Sequence, residues 1–353
     1  MLISNNKLAN QLAINLDDLH NANFLNIFSA DPALFKHPPI AMAYSGHQFG
    51  HLSPLLGDGR AVLLGESIAK NGKRFDIHLK GSGRTAYSRR GDGKSTLRAA
   101  LKEYIFSESL AGLGIPTTRS LAVVTTGETI RRDKKHAGAI LFRTASSHIR
   151  IGTFVYASLL HNIDSLKALT DYTIAREYPE INLEELDCYE IFLDKVISRQ
   201  ANLIAKWMTT GFIHGVMNTD NMTISGETID FGPCAFMDSF NRNQVYSSID
   251  EGGRYAWNKQ PEIALWNLSR FAETLLLLLN DNEEIAIEKA KTILERFVPK
   301  YLANFQSIMT AKLGLNATKK TYIEFIEETF TLLQKNKIDY TDFFRKLTRV
   351  ANG

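Results

Sequence analysis

The sequence predicts an α+β fold in two lobes, a β-rich N-terminal lobe over residues 1–150 and a helical C-terminal lobe over residues 151–353, with a cleft between them. Three observations predict it. Before residue 150, short β-rich runs alternate with Gly-rich turns. Beyond it, long stretches carry apolar residues at helical spacing. The chain has 9 prolines, none gathered into a linker, so no Pro-rich segment marks the boundary between the halves. At 353 residues, 44% hydrophobic and 22% charged, the chain is long enough to bury a core without disulfides.

The β-rich runs are Ala61–Leu64, Phe75–Leu79, Leu121–Thr125 and Ala139–Arg143. The first clear helix is expected from Ser95 to Leu113. Ser95 or Thr96 can cap its start, Leu97, Leu101, Tyr104 and Ile105 recur at helical spacing, and Gly112, Gly114 and Pro116 end it. Later helical patterns cover Leu186–Thr209, Glu262–Leu279, Thr321–Lys335 and Asp342–Val350.

A net charge of +3, spread along the chain, leaves no nucleic-acid footprint. The two cysteines, Cys188 and Cys234, form neither a metal spacing nor a secreted disulfide framework, which points to a reducing cytoplasm. Residues 1–18 lack a basic segment followed by an apolar run, so no secretory leader is expected. The run Leu275–Leu279 is far too short for a bilayer, which needs roughly 20 residues.

The strongest chemical signal is His214-Gly-Val-Met-Asn-Thr-Asp220-Asn221, followed by Ile229-Asp230-Phe231-Gly232. Protein kinases read H-R-D-x-x-x-x-N in the catalytic loop, and D-F-G after it. His214 and Asn221 keep that spacing (221 − 214 = 7), and Asp230 falls at the D-F-G position after a strand-like Glu227–Ile229. An amide and a carboxylate so placed suit Mg²⁺ or Mn²⁺ bridging the phosphates of a triphosphate. One position departs: Val216 stands where kinases place the catalytic Asp, and valine accepts no proton. Asp220 is the nearest substitute carboxylate; the same Asp-Asn pair also suits an Asx turn.

Lys80 ends the strand-like Asp76–Lys80 and Glu103 lies in the first helix. Kinases pair a strand Lys, which holds phosphates, with a helix Glu. Alone the pair reads as well as a surface Lys and a solvated Glu; its order ahead of the catalytic loop favours the phosphate role. Gly46-His-Gln-Phe-Gly50 and Gly57-Asp-Gly59-Arg60 precede Lys80, Gly81-Ser-Gly83 follows it, and Gly91-Asp92-Gly93 opens the helix. Glycine lets backbone N–H groups approach phosphate, and a Gly-rich helix N-terminus suits an anion; plain β-turns are the other reading. Arg143 and Arg150 bracket Thr144–Ile149 and can grip phosphate oxygens, or be ordinary surface arginines. The motifs together point to a protein-kinase-like fold.

Four segments carry a closer likeness: Met42–Ala61 (MAYSGHQFGHLSPLLGDGRA), Leu79–Tyr104 (LKGSGRTAYSRRGDGKSTLRAALKEY), Leu113–Glu128 (LGIPTTRSLAVVTTGE) and His214–Pro233 (HGVMNTDNMTISGETIDFGP). With Gly253–Glu273 (GRYAWNKQPEIALWNLSRFAE), they resemble the selenoprotein O family of pseudokinases, from about Pro38 to the final helices. The resemblance implies a kinase-like fold that binds ATP flipped relative to kinases. It implies transfer of AMP to Ser, Thr or Tyr hydroxyls of proteins, with UMP transfer from UTP and Mn²⁺ ascribed to bacterial members. Carried over position by position, Lys80 contacts phosphates and Glu103 pairs with it. Gly57, Gly59, Arg60, Asp92 and Gly93 line the nucleotide, and Arg143 and Arg150 bind phosphate oxygens. Asp220 is the base, Asn221 and Asp230 ligate Mg²⁺ or Mn²⁺, and Asp230 also meets the nucleotide. Family members run further at both ends and often finish near a selenocysteine or cysteine. A chain shortened at both ends is therefore expected, without redox control from that tail. An atypical kinase and an inactive ATP-binding scaffold stand as the competing functions. The expected partners are ATP and protein substrates, with neither nucleic acid nor membrane.

Overall fold

The computed structural model describes residues 1–15, 27, 30–315 and 320–351. Residues 16–18 of the segment searched for a leader lie outside the described residues, as do residues 352 and 353. The chain divides into two compact units, one of residues 1–173 with 219–231 and the other of residues 174–218 with 232–353.

The first unit is built on a mixed-length antiparallel sheet. Its strands are β1 (Ile3–Ser4), β4 (Ala61–Ile68), β5 (Arg74–Lys80), β6 (Ser95–Thr96), β7 (Arg119–Arg131) and β8 (Lys135–Ala145), in the order β1-β7-β8-β5-β4 with β6 also on β8. A separate hairpin joins β2 (Gly46–Gln48) to β3 (His51–Ser53). All four expected β-rich runs are strands, and each is longer than its apolar stretch. Ladder hydrogen bonds continue into the polar flanks, which a hydrophobicity pattern does not see.

Side-chain alternation divides the chemistry between the two faces. On β5, Ile77 and Leu79 point to one side and join Leu121, Val124, Ile140 and Phe142. There Leu8, Ala9 and Leu12, from helix α1 (Asn6–Gln11) and its C-cap, cover them. Asp76, His78 and Lys80 are the intervening residues of β5 and take the opposite face. On that face Val123, Ala139 and Leu141 pack on Ala100 of helix α2 (Leu97–Gly112). Burying side chains such as Leu79 and Leu141, 0% and 1% exposed, stabilises the sheet by about 1.5–3 kcal/mol each.

Helix α2 starts where expected, because the Thr96 hydroxyl accepts the Ala99 N–H. Gly91-Asp92-Gly93 does not open it, however. Strand β6 intervenes, and Gly93, at φ +69°, is pressed against the Gly83 backbone. The glycine serves a close chain crossing, not a helix terminus. Glu227–Ile229 is likewise not a strand: Thr228 makes a single parallel bridge to Thr117. Helices α3 (Ile151–Leu159) and α4 (Ile163–Glu177) follow β8.

The second unit is helical, from α5 (Cys188–Thr210) through α6 (Gln260–Leu279), α7 (Glu283–Leu294), α8 (Phe297–Lys312), α9 (Lys320–Lys335) and α10 (Tyr340–Ala351). Helices α3, α4, α7 and α8 were not among the sequence expectations; α3 is buried on several sides and so lacks a clean amphipathic stripe. Gly211, at φ +73°, stops α5 and turns the chain into a two-stranded ribbon, β9 (Phe212–Ile213) against β10 (Ala235–Phe236). No described helix is long and apolar enough to cross a membrane.

Candidate active site

Strand register creates the centre of the site. His78 of β5 lies opposite Arg143 of β8, and Lys80 lies opposite Leu141. Glu103 is one helical turn after Ala100 on α2, so it faces the same side of the sheet. Lys80 donates to Glu103 Oε2 at 2.6 Å, and Arg143 Nη1 donates to Glu103 Oε1 at 2.8 Å.

The segment carrying Asp220 and Asp230 is stitched to this unit on two sides. Ile151 N–H donates to the Met222 carbonyl at 2.9 Å and Ile224 N–H to the Ile149 carbonyl at 3.0 Å. On the other side Thr118 N–H reaches the Thr228 carbonyl at 2.9 Å and Thr228 N–H the Pro116 carbonyl at 3.0 Å. Glu227 adds three bonds, from the Ser146 N–H, the Ser146 hydroxyl and the Ser225 hydroxyl. These bonds hold Asp230 at φ +63°, a left-handed conformation rare for residues other than glycine.

Asp230 is where the cations converge. Its Oδ1 accepts from Lys80 at 2.6 Å and from Arg143 at 2.8 Å, and its Oδ2 accepts from Arg150 at 2.6 Å. Burial opposes its ionisation, but Lys80, Arg150 and Arg143 hold its carboxyl well below the usual carboxylate range. Burial likewise opposes charge on Glu103, and Lys80 with Arg143 brings it below its ordinary value. Neither arginine is on the surface: Arg143 is 1% exposed and Arg150 2%.

Asp220 stands differently. It lies in a one-turn 3₁₀ segment, Thr219–Asn221, fixed when the His47 N–H donates to the Thr219 hydroxyl at 2.8 Å. The Arg150 Nη1 reaches the Asp220 backbone carbonyl at 2.7 Å, not its carboxylate. Its Oδ1 is buried without a hydrogen-bond partner. Burial pushes its carboxyl up to about 6, against the pull of Arg150. Two glycines make room for it. A Cβ on Gly46 would sit 2.2 Å from Asp220 Oδ1, and one on Gly152 would sit 2.1 Å from the Ser45 carbonyl and 3.3 Å from Asp220 Cα. Gly46 thus accommodates a carboxylate where its Gly-rich run suggested a phosphate.

Of the other expected residues, Gly57 is in the unit but serves local packing: its Cα faces the Tyr87 ring at φ +65° and its N–H donates to the Tyr44 carbonyl. The Gly59 carbonyl accepts the Ser88 hydroxyl. Arg60 is exposed, one residue before β4. Asp92 is gripped by Arg132 through both carboxylate oxygens, which lowers its carboxyl to about 2. Among the described residues no hydrogen bond or ion pair joins Arg60, Asp92 or Gly93 to the Asp230 cluster.

Sequence reasoning missed the layer behind the arginines. His78 Nε2 is 3.3 Å from Asp58 Oδ2, and Asp58 Oδ1 is 3.5 Å from Arg150 Nη2. The His148 ring stacks on His78 with centroids 4.3 Å apart, and Asp76 accepts from both the His148 backbone N–H and its Nδ1. The Tyr44 ring lies under the Arg150 guanidinium, 4.6 Å away. A signal existed: Asp76, His78 and Lys80 put three polar groups on one face of a strand whose other face is apolar.

In the second unit, His214 is a core residue. Its N–H donates to Gln260 Oε1 at 3.0 Å and its ring stacks on Trp207 at 5.4 Å. Asn267 and Tyr255 bind the Met217 carbonyl and the Asn218 side chain.

Asp220, Asn221 and Asp230 offer hard oxygens, and the orphaned Asp220 Oδ1 is a buried acceptor fit for a hard divalent cation. Among the described residues no group of three or more His, Cys, Asp or Glu forms a metal cage.

Three cations thus converge on one carboxylate, beside a second whose Oδ1 has no partner. A family model described as "Protein adenylyltransferase SelO" matches residues 1–353, and the chain belongs to that family. It is 54% identical over 344 residues to a protein from Clostridium perfringens named "Protein nucleotidyltransferase YdiU", covering 98% of this chain and 70% of that one. Proteins of the same name from Brevibacillus brevis and Halalkalibacterium halodurans are 53% and 51% identical over 348 residues, with 99% of this chain and 70% of each relative covered.

Proposed function

We propose that this nucleotidyltransferase moves AMP from ATP to Ser, Thr or Tyr hydroxyls of proteins and releases pyrophosphate, with UMP from UTP as an alternative donor. The observation that carries the reading is Asp220, a buried carboxylate whose Oδ1 has no partner and whose carboxyl is pushed up to about 6, beside three convergent cations. A general base needs such a free acceptor and such a pKa near the working pH.

In this reading Lys80, Arg143 and Arg150 leave Asp230 in part to hold phosphate oxygens and neutralise the departing pyrophosphate. Glu103 keeps Lys80 and Arg143 aimed after the exchange. Asp220 accepts the proton of the protein hydroxyl while its oxygen forms a bond to the α-phosphorus and the bond from that phosphorus to the β-phosphate oxygen breaks. Positioning and charge stabilisation supply most of the catalysis. Gly57, Gly59, Arg60, Asp92 and Gly93 line the nucleotide in the same reading.

A divalent cation, Mg²⁺ or Mn²⁺, would be held by Asn221 and Asp230 and would supply charge neutralisation on the phosphates. Charge balance supports it. Lys80, Arg143 and Arg150 already face Glu103, Asp230 and Asp58, three against three (3 − 3 = 0), so a triphosphate of roughly four negative charges needs more positive charge than the side chains spare. The reading keeps the kinase-like arrangement of an N-terminal lobe (1–150) and a helical C-terminal lobe (151–353), with ATP flipped so that the α-phosphorus is attacked. The reading places the chain in a reducing cytoplasm, where Cys188 and Cys234, both buried, stay as thiols.

ATP labelled at the α- or the γ-phosphate tests it. Label reaching protein from α-labelled ATP alone supports AMP transfer, and label from γ-labelled ATP alone makes the chain a kinase. Label from neither, with ATP still raising the melting temperature, makes it a binding scaffold.

A further inference from the structure

Behind the cation cluster lies a buried polar layer with no evident part in contacting substrate. Asp58 and His78 are 3% and 0% exposed. Arg143 Nε donates to His78 Nδ1 at 3.1 Å, so that ring nitrogen carries a lone pair. The ring proton is then on Nε2 and points at Asp58 Oδ2, 3.3 Å away. Asp58 is itself fixed, since the same Oδ2 accepts the Met42 N–H at 3.2 Å and its carbonyl accepts the Thr85 hydroxyl at 2.6 Å. Its Oδ1 faces Arg150 Nη2 at 3.5 Å. One carboxylate therefore reaches both arginines, Arg150 directly and Arg143 through an imidazole.

The layer is built to keep that imidazole neutral. Burial first, then the neighbouring His148 and Arg143, push His78 down to about 3. A charged ring would have a proton on Nδ1 and could not accept from Arg143. His148, stacked at 4.3 Å and tied to Asp76, fixes the plane of the ring. With Nε spent on His78 and Nη1 on Glu103 and Asp230, Arg143 keeps Nη2 unpaired among the described residues.

We infer that Asp58 and His78 are positioning residues that aim Arg143 and Arg150 at the phosphates of the nucleotide. The inference deepens the proposed function and rests on Arg143 being a phosphate ligand. Buried hydrogen bonds to a charged group typically contribute enough to change an equilibrium roughly tenfold or more.

Two amide variants separate the ends of the link. In His78→Asn the side-chain oxygen can stand near the Nδ1 position and still accept from Arg143. In His78→Gln the amide nitrogen can reach Asp58, but the acceptor for Arg143 is lost. Calorimetric binding of ATP and of adenosine, which has no phosphate, gives the readout. His78→Gln is expected to weaken ATP roughly tenfold and to leave adenosine within about twofold, while His78→Asn stays within about threefold of the parent for both. Equal loss of ATP and adenosine, or equal behaviour of the two variants, overturns the inference and leaves His78 a packing residue. Should His78→Gln fail to fold, Asp58→Asn carries the same test, with ATP weakened and adenosine spared. Arg143→Met controls the premise. If it binds ATP as tightly as the parent, the phosphate reading of Arg143 fails; if it weakens ATP while His78→Gln does not, only the positioning role fails.

Discussion

Replacing Asp220 by Asn should stabilise the protein and abolish the reaction together. The carboxyl's ordinary value is 3.8 and burial raises it to about 6. At ~1.4 kcal/mol for each unit of pH, that gap is about 3 kcal/mol. The sign follows from linkage. The folded state prefers the protonated acid, so the stability this group contributes is fully present below pH 3.8 and is lost as pH rises through about 6. Above that, the protein carries a buried carboxylate whose Oδ1 has no partner. An amide of the same shape has no such dependence. Asp220→Asn is therefore expected to match the parent near pH 4 and to exceed it by up to about 3 kcal/mol at pH 8. Thermal melts of both proteins across that range, without nucleotide, measure the difference. Labelling from α-labelled ATP should meanwhile fall by at least two orders of magnitude, as expected for a lost general base. A stability difference that is constant with pH refutes the electrostatic account of Asp220, and a variant that still labels protein at the parental rate refutes its role as base. In the parent, activity should rise with pH through about 6, where the base becomes ionised.

Substitutions at three further positions probe the rest of the site. Asp230→Ala removes the acceptor shared by Lys80, Arg143 and Arg150, and should cost about 3–5 kcal/mol in a urea titration, besides all metal-dependent labelling. Asp230→Asn, which tolerates φ +63°, should lose the labelling but less of the stability. Gly46→Ala places a methyl group 2.2 Å from Asp220 Oδ1, so kcat should drop more than tenfold while KM for ATP changes little, the displaced group being the base rather than a phosphate ligand. Glu103→Gln leaves Lys80 and Arg143 without their second anion and should raise KM for ATP roughly tenfold in a steady-state assay.

Much of this site was legible along the chain. The Asp-Phe-Gly and the order of strand Lys80 before helix Glu103 named three of the groups that meet here, Asp230, Lys80 and Glu103, whereas His214, at the start of the seven-residue spacing, packs in the other unit. Local chemistry was legible too: Thr96 caps α2 as its hydroxyl and position suggest. The glycines were read less well. A run such as Gly46–Gly50 announces only that something approaches the backbone closely; that it is the Asp220 carboxylate depends on a residue far along the chain. Gly93 accommodates another backbone in the same way. The strand expected at Glu227–Ile229 failed because its one pairing is the isolated bridge from Thr228 to Thr117, not a ladder that alternation could reveal.

The sequence by itself determined the inventory and its periodicity: which residues can carry charge, which face of β5 is polar, and that a base must come from somewhere other than Val216. Only the tertiary structure decided what each charge does. Antiparallel register put His78 opposite Arg143, and the pairing of 149–151 with 222–224 carried Arg150 to Asp230. Whether a carboxylate is held ionised by cations, as half-buried Asp230 is, or left unpaired and buried with a raised pKa, as Asp220 is, depends on distances of a few ångströms between residues remote in the chain. Electrostatic energy in a low-dielectric interior changes steeply over such distances, and no spacing within the sequence encodes them.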